Sequence, residues 1–196
     1  MNQEQRLGPC DILVVPLAHG RDFTPQPEGK IVCDKQGRLR AHAAVELAHN
    51  IATSQEEVYF GIFTQRAKTD RCDLCSAIAN TLMSMGVTGK YILRHGTEQA
   101  NTKSEVEEAV RFSTRTRMRL WLVTSKYDLK RVQAYVRQVL GDYDYRRRVN
   151  EGYVHFETVP NQYTTFLERW RGRLSSVSKL FKPVLRLMTP PPEGRF

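Results

Sequence analysis

No apolar run in the chain approaches the roughly 18 residues that cross a bilayer as a helix, so a helical membrane span is not expected. The glycine-rich phosphate fingerprints are absent throughout, and no Gly-x-Ser-x-Gly elbow surrounds Ser125. Cysteine is scarce, at Cys10, Cys33, Cys72 and Cys75. Cys72-Asp73-Leu74-Cys75 is a single CxxC at a helix start, and no second CxxC or His-x-x-x-His pair completes a zinc site. Cys33 or His95 would have to supply the missing ligands, while the apolar pattern around Cys75 fits a buried, inert thiol. No metal is assigned. The first residues, MNQEQRLGPCD, carry no apolar stretch, so no secretory signal is expected. A cytoplasmic location without structural disulfides is the default expectation.

What is present is the makeup of a globular protein: 196 residues, 40% apolar and 26% charged. Charge is split unevenly along the chain. Residues 1–110 hold 12 Lys/Arg against 14 Asp/Glu, and residues 111–196 hold 18 against 7, so nets of −2 and +11 make up the total of +9. Such a bias points to an acidic partner for the C-terminal half, although a solvated basic surface has the same signature.

Five apolar runs alternate with helical patterns. The strands expected are Asp11 to Leu17, Glu57 to Phe63, Lys90 to Arg94, the run Leu120-Trp121-Leu122-Val123, and Gly152 to Thr158. Helices are expected from about Leu39 to Ala52, Cys72 to Met85, Thr102 to about Thr114, and from Leu129 through Val132 and Val136 to Leu140. This alternation predicts a three-layer, Rossmann-like α/β sandwich around a mainly parallel sheet, occupying residues 1–160. Residues 161–196 form a separate piece. Phe166, Leu167, Trp170, Leu174, Val177 and Phe181 make an amphipathic helical stripe flanked by arginines and lysines, followed by a Pro-rich tail. Such a helix packs on its own domain or docks on a membrane surface or an acidic protein.

In a parallel sheet of this kind every strand's C-terminal loop opens on one edge, where such folds bind ligands. The first loop, His19 to Gly37, contains a short extended piece at Lys30 to Cys33 and an expected turn at Asp34 to Gly37. It offers His19 and Arg21 at the strand exit, and Arg38 enters the helix that follows. The second loop offers Arg66, Lys68 and Arg71, a set suited to phosphate and equally to a solvated loop. In the third, Asn101 or Thr102 caps the next helix, with Glu105 completing a capping box after Thr102, and His95 and Glu98 are acid/base candidates. The fourth holds Thr124, Ser125, Lys126, Tyr127, Asp128 and Arg131. A strand that ends in hydroxyls and turns into a helix suits an anion, with Arg131 about one turn in and Asp128 spaced to pair with it.

Four blocks resemble the SanA/ElyC/YdcF-type family, long catalogued as a domain of unknown function. They are Ile12 to Leu17; Gly37-Arg38-Leu39 with Ala41 and Ala44, like that family's arginine-led helix; Asn101-Thr102; and Val123-Thr124-Ser125-Lys126-Tyr127-Asp128-Leu129-Lys130-Arg131, like its Val-Thr-Ser-x-Tyr-His-x-x-Arg. The match spans about residues 11 to 140. Asp128 stands in place of the family's His, Ala18-His19 and Thr64-Gln65 in place of its glycines, and Ser104 in place of its Glu. The resemblance implies a Rossmann-like fold with a pocket for a nucleotide-type ligand, S-adenosylmethionine among those to test. Carried over position by position, it implies Arg38, Asn101, Thr102, Thr124, Ser125, Tyr127 and Arg131 as pocket residues. Many members are anchored in a membrane, and no anchor is expected here.

Two functions follow as expectations. The first is an α/β domain that binds a small anionic, phosphate-bearing or nucleotide-type ligand and performs group transfer or hydrolysis if it is an enzyme, with His19, His95 or Asp128 as acid/base. The second is a non-enzymatic module that docks on an acidic partner or membrane surface through its basic C-terminal half. Nucleic acid ranks behind these, because few aromatics interleave with the C-terminal cations.

Overall fold

A computed structural model describes residues 11–20, 22, 29–53, 55–64, 74–95 and 101–160. Its five strands are β1 (Ile12–Pro16), β2 (Val58–Ile62), β3 (Ile92–Arg94), β4 (Arg119–Ser125) and β5 (Val154–Val159). All pair in parallel, in the order β3-β2-β1-β4-β5. Five helices complete the three layers: α1 (Lys35–Ile51), α2 (Leu74–Ser84), α3 (Thr102–Thr116), α4 (Leu129–Leu140) and α5 (Asp142–Asn150). This is the Rossmann-like α/β fold that the alternation predicts. Among the described residues no helix is long and apolar enough to cross a membrane.

The central strands are apolar without interruption because both of their faces are covered. All five residues of β1 are buried. Side chains then sort by parity. Ile12, Val14 and Val123 join the core with Ala41, Ala44, Ile78 and Leu82 of α1 and α2. Leu13, Val15, Leu120 and Leu122 join the one with Val106, Val110, Val132 and Val136 of α3 and α4.

Two local differences from the sequence reading have physical causes. Asp34 to Gly37 is no free-standing turn. Asp34 caps α1, its Oδ1 accepting the Gly37 N–H at 2.7 Å, so the helix starts four residues before Leu39. Helix α5 has no counterpart among the expected elements. Asp142–Asn150 carries no apolar stripe and buries no residue fully, and only Tyr145 and Val149, one turn apart, lean on the core. Gly141, at φ +77°, makes the break between α4 and α5. The expected C-terminal helix and tail, together with Arg21, Arg66, Lys68, Arg71, Cys72 and Glu98, lie outside the described residues.

Candidate functional site

The order of the strands reverses between β1 and β4, because the chain runs outward through β2 and β3 before returning to β4 beside β1. Ligands in open parallel sheets bind above that crevice, outside the strands' C-terminal ends. Here the crevice is organised by Arg40, which is 2% exposed. Its Nη1 donates to the carbonyl oxygens of Leu17 and Ala18, both at 3.0 Å. Its Nε and Nη2 donate to Ser125 Oγ at 3.1 and 2.9 Å, and Nη2 also reaches Asp128 Oδ2 at 3.1 Å. Those five bonds equal the five N–H donors of a guanidinium. Arg40 is therefore a tie between the exits of β1 and β4.

Ser125 is held just as firmly. Besides Arg40, it accepts a hydrogen bond from Gln36 Nε2 at 2.7 Å. A hydroxyl oxygen engaged by three N–H contacts has no lone pair left for attack, so Ser125 serves the scaffold. Asp128 hands the interaction outward: its second oxygen, Oδ1, lies 2.5 Å from Arg131 Nη2. Arg131 is 26% exposed and leans to Thr102 Oγ1, at 3.4 Å, at the first residue of α3.

Around Arg131 the polar groups converge on the side of the sheet covered by α3 and α4. Thr124 shares the strand parity of Leu120 and Leu122, and its fully buried hydroxyl has no hydrogen-bond partner among the described residues. Helix α4 has Asp128 as its N-cap but receives no side-chain cap, because that carboxylate is taken by the two arginines. The first N–H groups of α4 thus keep their capacity for an acceptor. Burial and the Asp128 charge raise the Tyr127 phenol above its usual range, against the opposing charge of Arg40.

Glu105 is the other buried group at this edge. It lies in the first turn of α3, is 3% exposed, and accepts the Ala18 N–H at 3.1 Å through Oε2. Burial raises its carboxyl from 4.5 to about 7, against the lowering effects of the Thr64 hydroxyl, the Ala18 N–H and the Arg40 charge. The capping box expected from Thr102 and Glu105 therefore does not form. Asn101 is the cap, accepting the Ser104 N–H at 2.9 Å, and Glu105 turns into the protein.

Of the residues singled out from the sequence, Thr102, Thr124, Ser125, Tyr127, Asp128 and Arg131 are gathered at this edge. Asn101 stands exposed as the α3 cap. Arg38 points elsewhere, donating to Asp22 Oδ2 at 2.9 Å and to the Cys33 carbonyl oxygen at 3.1 Å. His19 pairs with Asp34, Nδ1 to Oδ2 at 2.7 Å. Burial opposes ionisation of Asp34, but His19, the Gly37 N–H and the Arg40 charge outweigh it and hold the carboxyl below 3.8. His95 lies against the rings of Phe63 and Phe112, with centroids 5.5 and 4.6 Å away.

Sequence reasoning passed over Gln36 and Arg40, and read Glu105 only as half of a capping box. For Arg40 a signal existed: it lies three residues after Gly37 and four before Ala44, on the stripe of small residues that faces the sheet. A cation on that stripe has to be buried and paired. Among the described residues no group of three His, Cys, Asp or Glu is placed to hold a metal ion. Burial pushes the Cys33 thiol up to about 11, which keeps it protonated and inert. Compared with family models, curated proteins and solved structures, the chain matches none.

Proposed function

We propose that this protein binds a small phosphate-bearing or nucleotide-type anion at the C-terminal edge of its sheet, above β4 and between the N-termini of α3 and α4. The observation that carries the reading is the bridge from Asp128 through Arg131 to Thr102, which holds a half-buried guanidinium against two helix starts. Thr124, whose buried hydroxyl has no partner among the described residues, adds a donor and an acceptor on the same face. The resemblance of residues 123–131 to the SanA/ElyC/YdcF-type block supports the same location.

If a reaction follows, group transfer or hydrolysis of the anion is the class this site serves. Asp128 is engaged by arginines through both oxygens, so it orients Arg131. Glu105 is the carboxyl poised to exchange a proton near neutral pH, on both its position and its burial.

A thermal-shift screen of the purified chain against nucleotides, sugar nucleotides, S-adenosylmethionine and inorganic phosphate tests the reading. A ligand at about 100 times its dissociation constant stabilises the fold by about 2.7 kcal/mol, a shift of several degrees for a domain of this size. The same shift in Arg131→Ala and Thr102→Val would place binding elsewhere and overturn the proposal.

A further inference from the structure

The opposite, N-terminal edge of the sheet carries a second basic feature, distinct from the anion site above. A cavity of about 270 Å³ opens there, lined by Thr114, Arg117, Arg147, Arg148, Glu151 and Tyr153 among others. Thr114 also lines a neighbouring cavity of about 500 Å³ with Arg111, Arg115 and Glu107. Five arginines thus face two glutamates across adjoining hollows, although the chain delivers them from the ends of two helices, α3 and α5. Arg111, Arg117 and Arg148 make no ion pair among the described residues.

Aromatic rings stand among these cations. Arg115 lies over Phe112, Arg137 over Tyr145 and Arg147 over Tyr143, with 5.4, 4.9 and 5.9 Å from guanidinium carbon to ring centroid. Arg137 and Arg147 also pair with Asp142 and Asp144, at 3.4 and 2.8 Å, so the cations left for phosphate oxygens are Arg111, Arg117 and Arg148. Tyr143 and Tyr153, 78% and 44% exposed, are two of the three large apolar side chains exposed among the described residues, and both lie beside these arginines. Tyr153 shares its hollow with Arg117 and Arg148, and an exposed ring beside unpaired arginines in a concave surface suits a chain of phosphates with unstacked bases. In the sequence these aromatics look too sparse for such a role. Folding brings the end of α3, all of α5 and the entry to β5 together.

We propose that this N-terminal edge, formed by the ends of α3 and α4, helix α5 and Tyr153, binds single-stranded nucleic acid. Arg111, Arg117 and Arg148 contact phosphates, and Tyr143 and Tyr153 stack on bases. The contacts follow the backbone and ring faces, so binding is tolerant of sequence.

Fluorescence anisotropy of the full chain with a short labelled single-stranded RNA tests this across a salt series. Duplex DNA, anionic vesicles and poly-glutamate serve as comparison probes. Arg117→Gly combined with Arg148→Gln removes two guanidinium groups. Arg117 has φ +60°, which glycine adopts without strain, so the melting temperature should be kept or raised. The double variant should bind at least tenfold more weakly, with a log–log salt slope shallower by about 0.7 for each phosphate no longer neutralised. Tyr153→Ala should cost roughly tenfold with an unchanged slope. Wild-type affinity in the folded double variant would overturn the proposal. So would arginine-dependent binding to vesicles or poly-glutamate by a chain that ignores the RNA.

Discussion

Asp128 Oδ2 and Arg40 Nη2 lie 3.1 Å apart although 88 positions separate the two residues, and both side chains are almost fully buried. The pair joins the N-terminal half of α1 to the turn after β4, across the crevice where the strand order reverses. An isolated buried ion pair gains little, since desolvation offsets the attraction. This one is completed by Ser125 Oγ and two carbonyl oxygens, so the guanidinium has no unmet donor. Its consequence is positional: Asp128 is fixed, and Arg131 is fixed by Asp128.

Arg40→Met should therefore damage the fold more than Asp128→Asn. The first takes the Arg40 donors from two buried carbonyl oxygens and from Asp128 Oδ2, leaving the carboxylate to Arg131 and Ser125 to Gln36, a loss of about 3–5 kcal/mol. The second keeps an acceptor for Arg40 and should cost about 1–3 kcal/mol. Urea unfolding of both variants gives the comparison, and equal losses would mean that Arg40 acts through its charge on Asp128 alone.

Glu105 predicts a pH dependence of the opposite sign to that of ion-paired carboxylates. Its folded-state pKa is raised from 4.5 to about 7, so between those values the native state binds more protons than the unfolded chain. Stability from this group is full below about 4.5 and declines as pH rises through 7, by about 3 kcal/mol in all. Glu105→Gln should remove that decline and be the more stable protein at pH 8. Parallel stability-versus-pH curves for the two proteins would refute the assignment.

Gly37 allows Asp34 to cap α1 at close range. A Cβ there would lie 2.8 Å from the Cys33 Cβ and 3.1 Å from Asp34 Oδ1, backed by the thiol at 3.3 Å. Gly37→Ala should thus cost about 1–3 kcal/mol despite alanine's better helix propensity. A thermal melt in which alanine stabilises the protein would show that the α1 start shifts freely.

The strands were legible because a sheet buried on both faces leaves runs such as Ile12 to Leu17 with no polar interruption. The fourth crossover was legible for a second reason, since the apolar run passes into hydroxyls and then into the stripe of Leu129, Val132 and Val136. Helix α5 escaped because DYDYRRRVN is held by the Glu151 backbone N–H at its C-terminus, local ion pairs such as Arg147–Asp144, and two side chains on the core. Arg40 escaped because burial of a cation depends on acceptors that other segments supply: Leu17, Ala18, Ser125 and Asp128 lie 22 to 88 residues away. Arg38, two positions earlier, has the same chemistry and half-faces solvent. Nothing local in the sequence separates the two except the face of the helix.

The most direct test of the anion site is to follow the backbone amide resonances of the isotope-labelled chain as ADP is added. The site predicts the largest, saturable shifts at Thr102 to Ser104 and Tyr127 to Arg131, abolished in Arg131→Ala. Saturable binding that leaves those amides unmoved and shifts only residues near Thr114, Arg117 and Arg148 would contradict it.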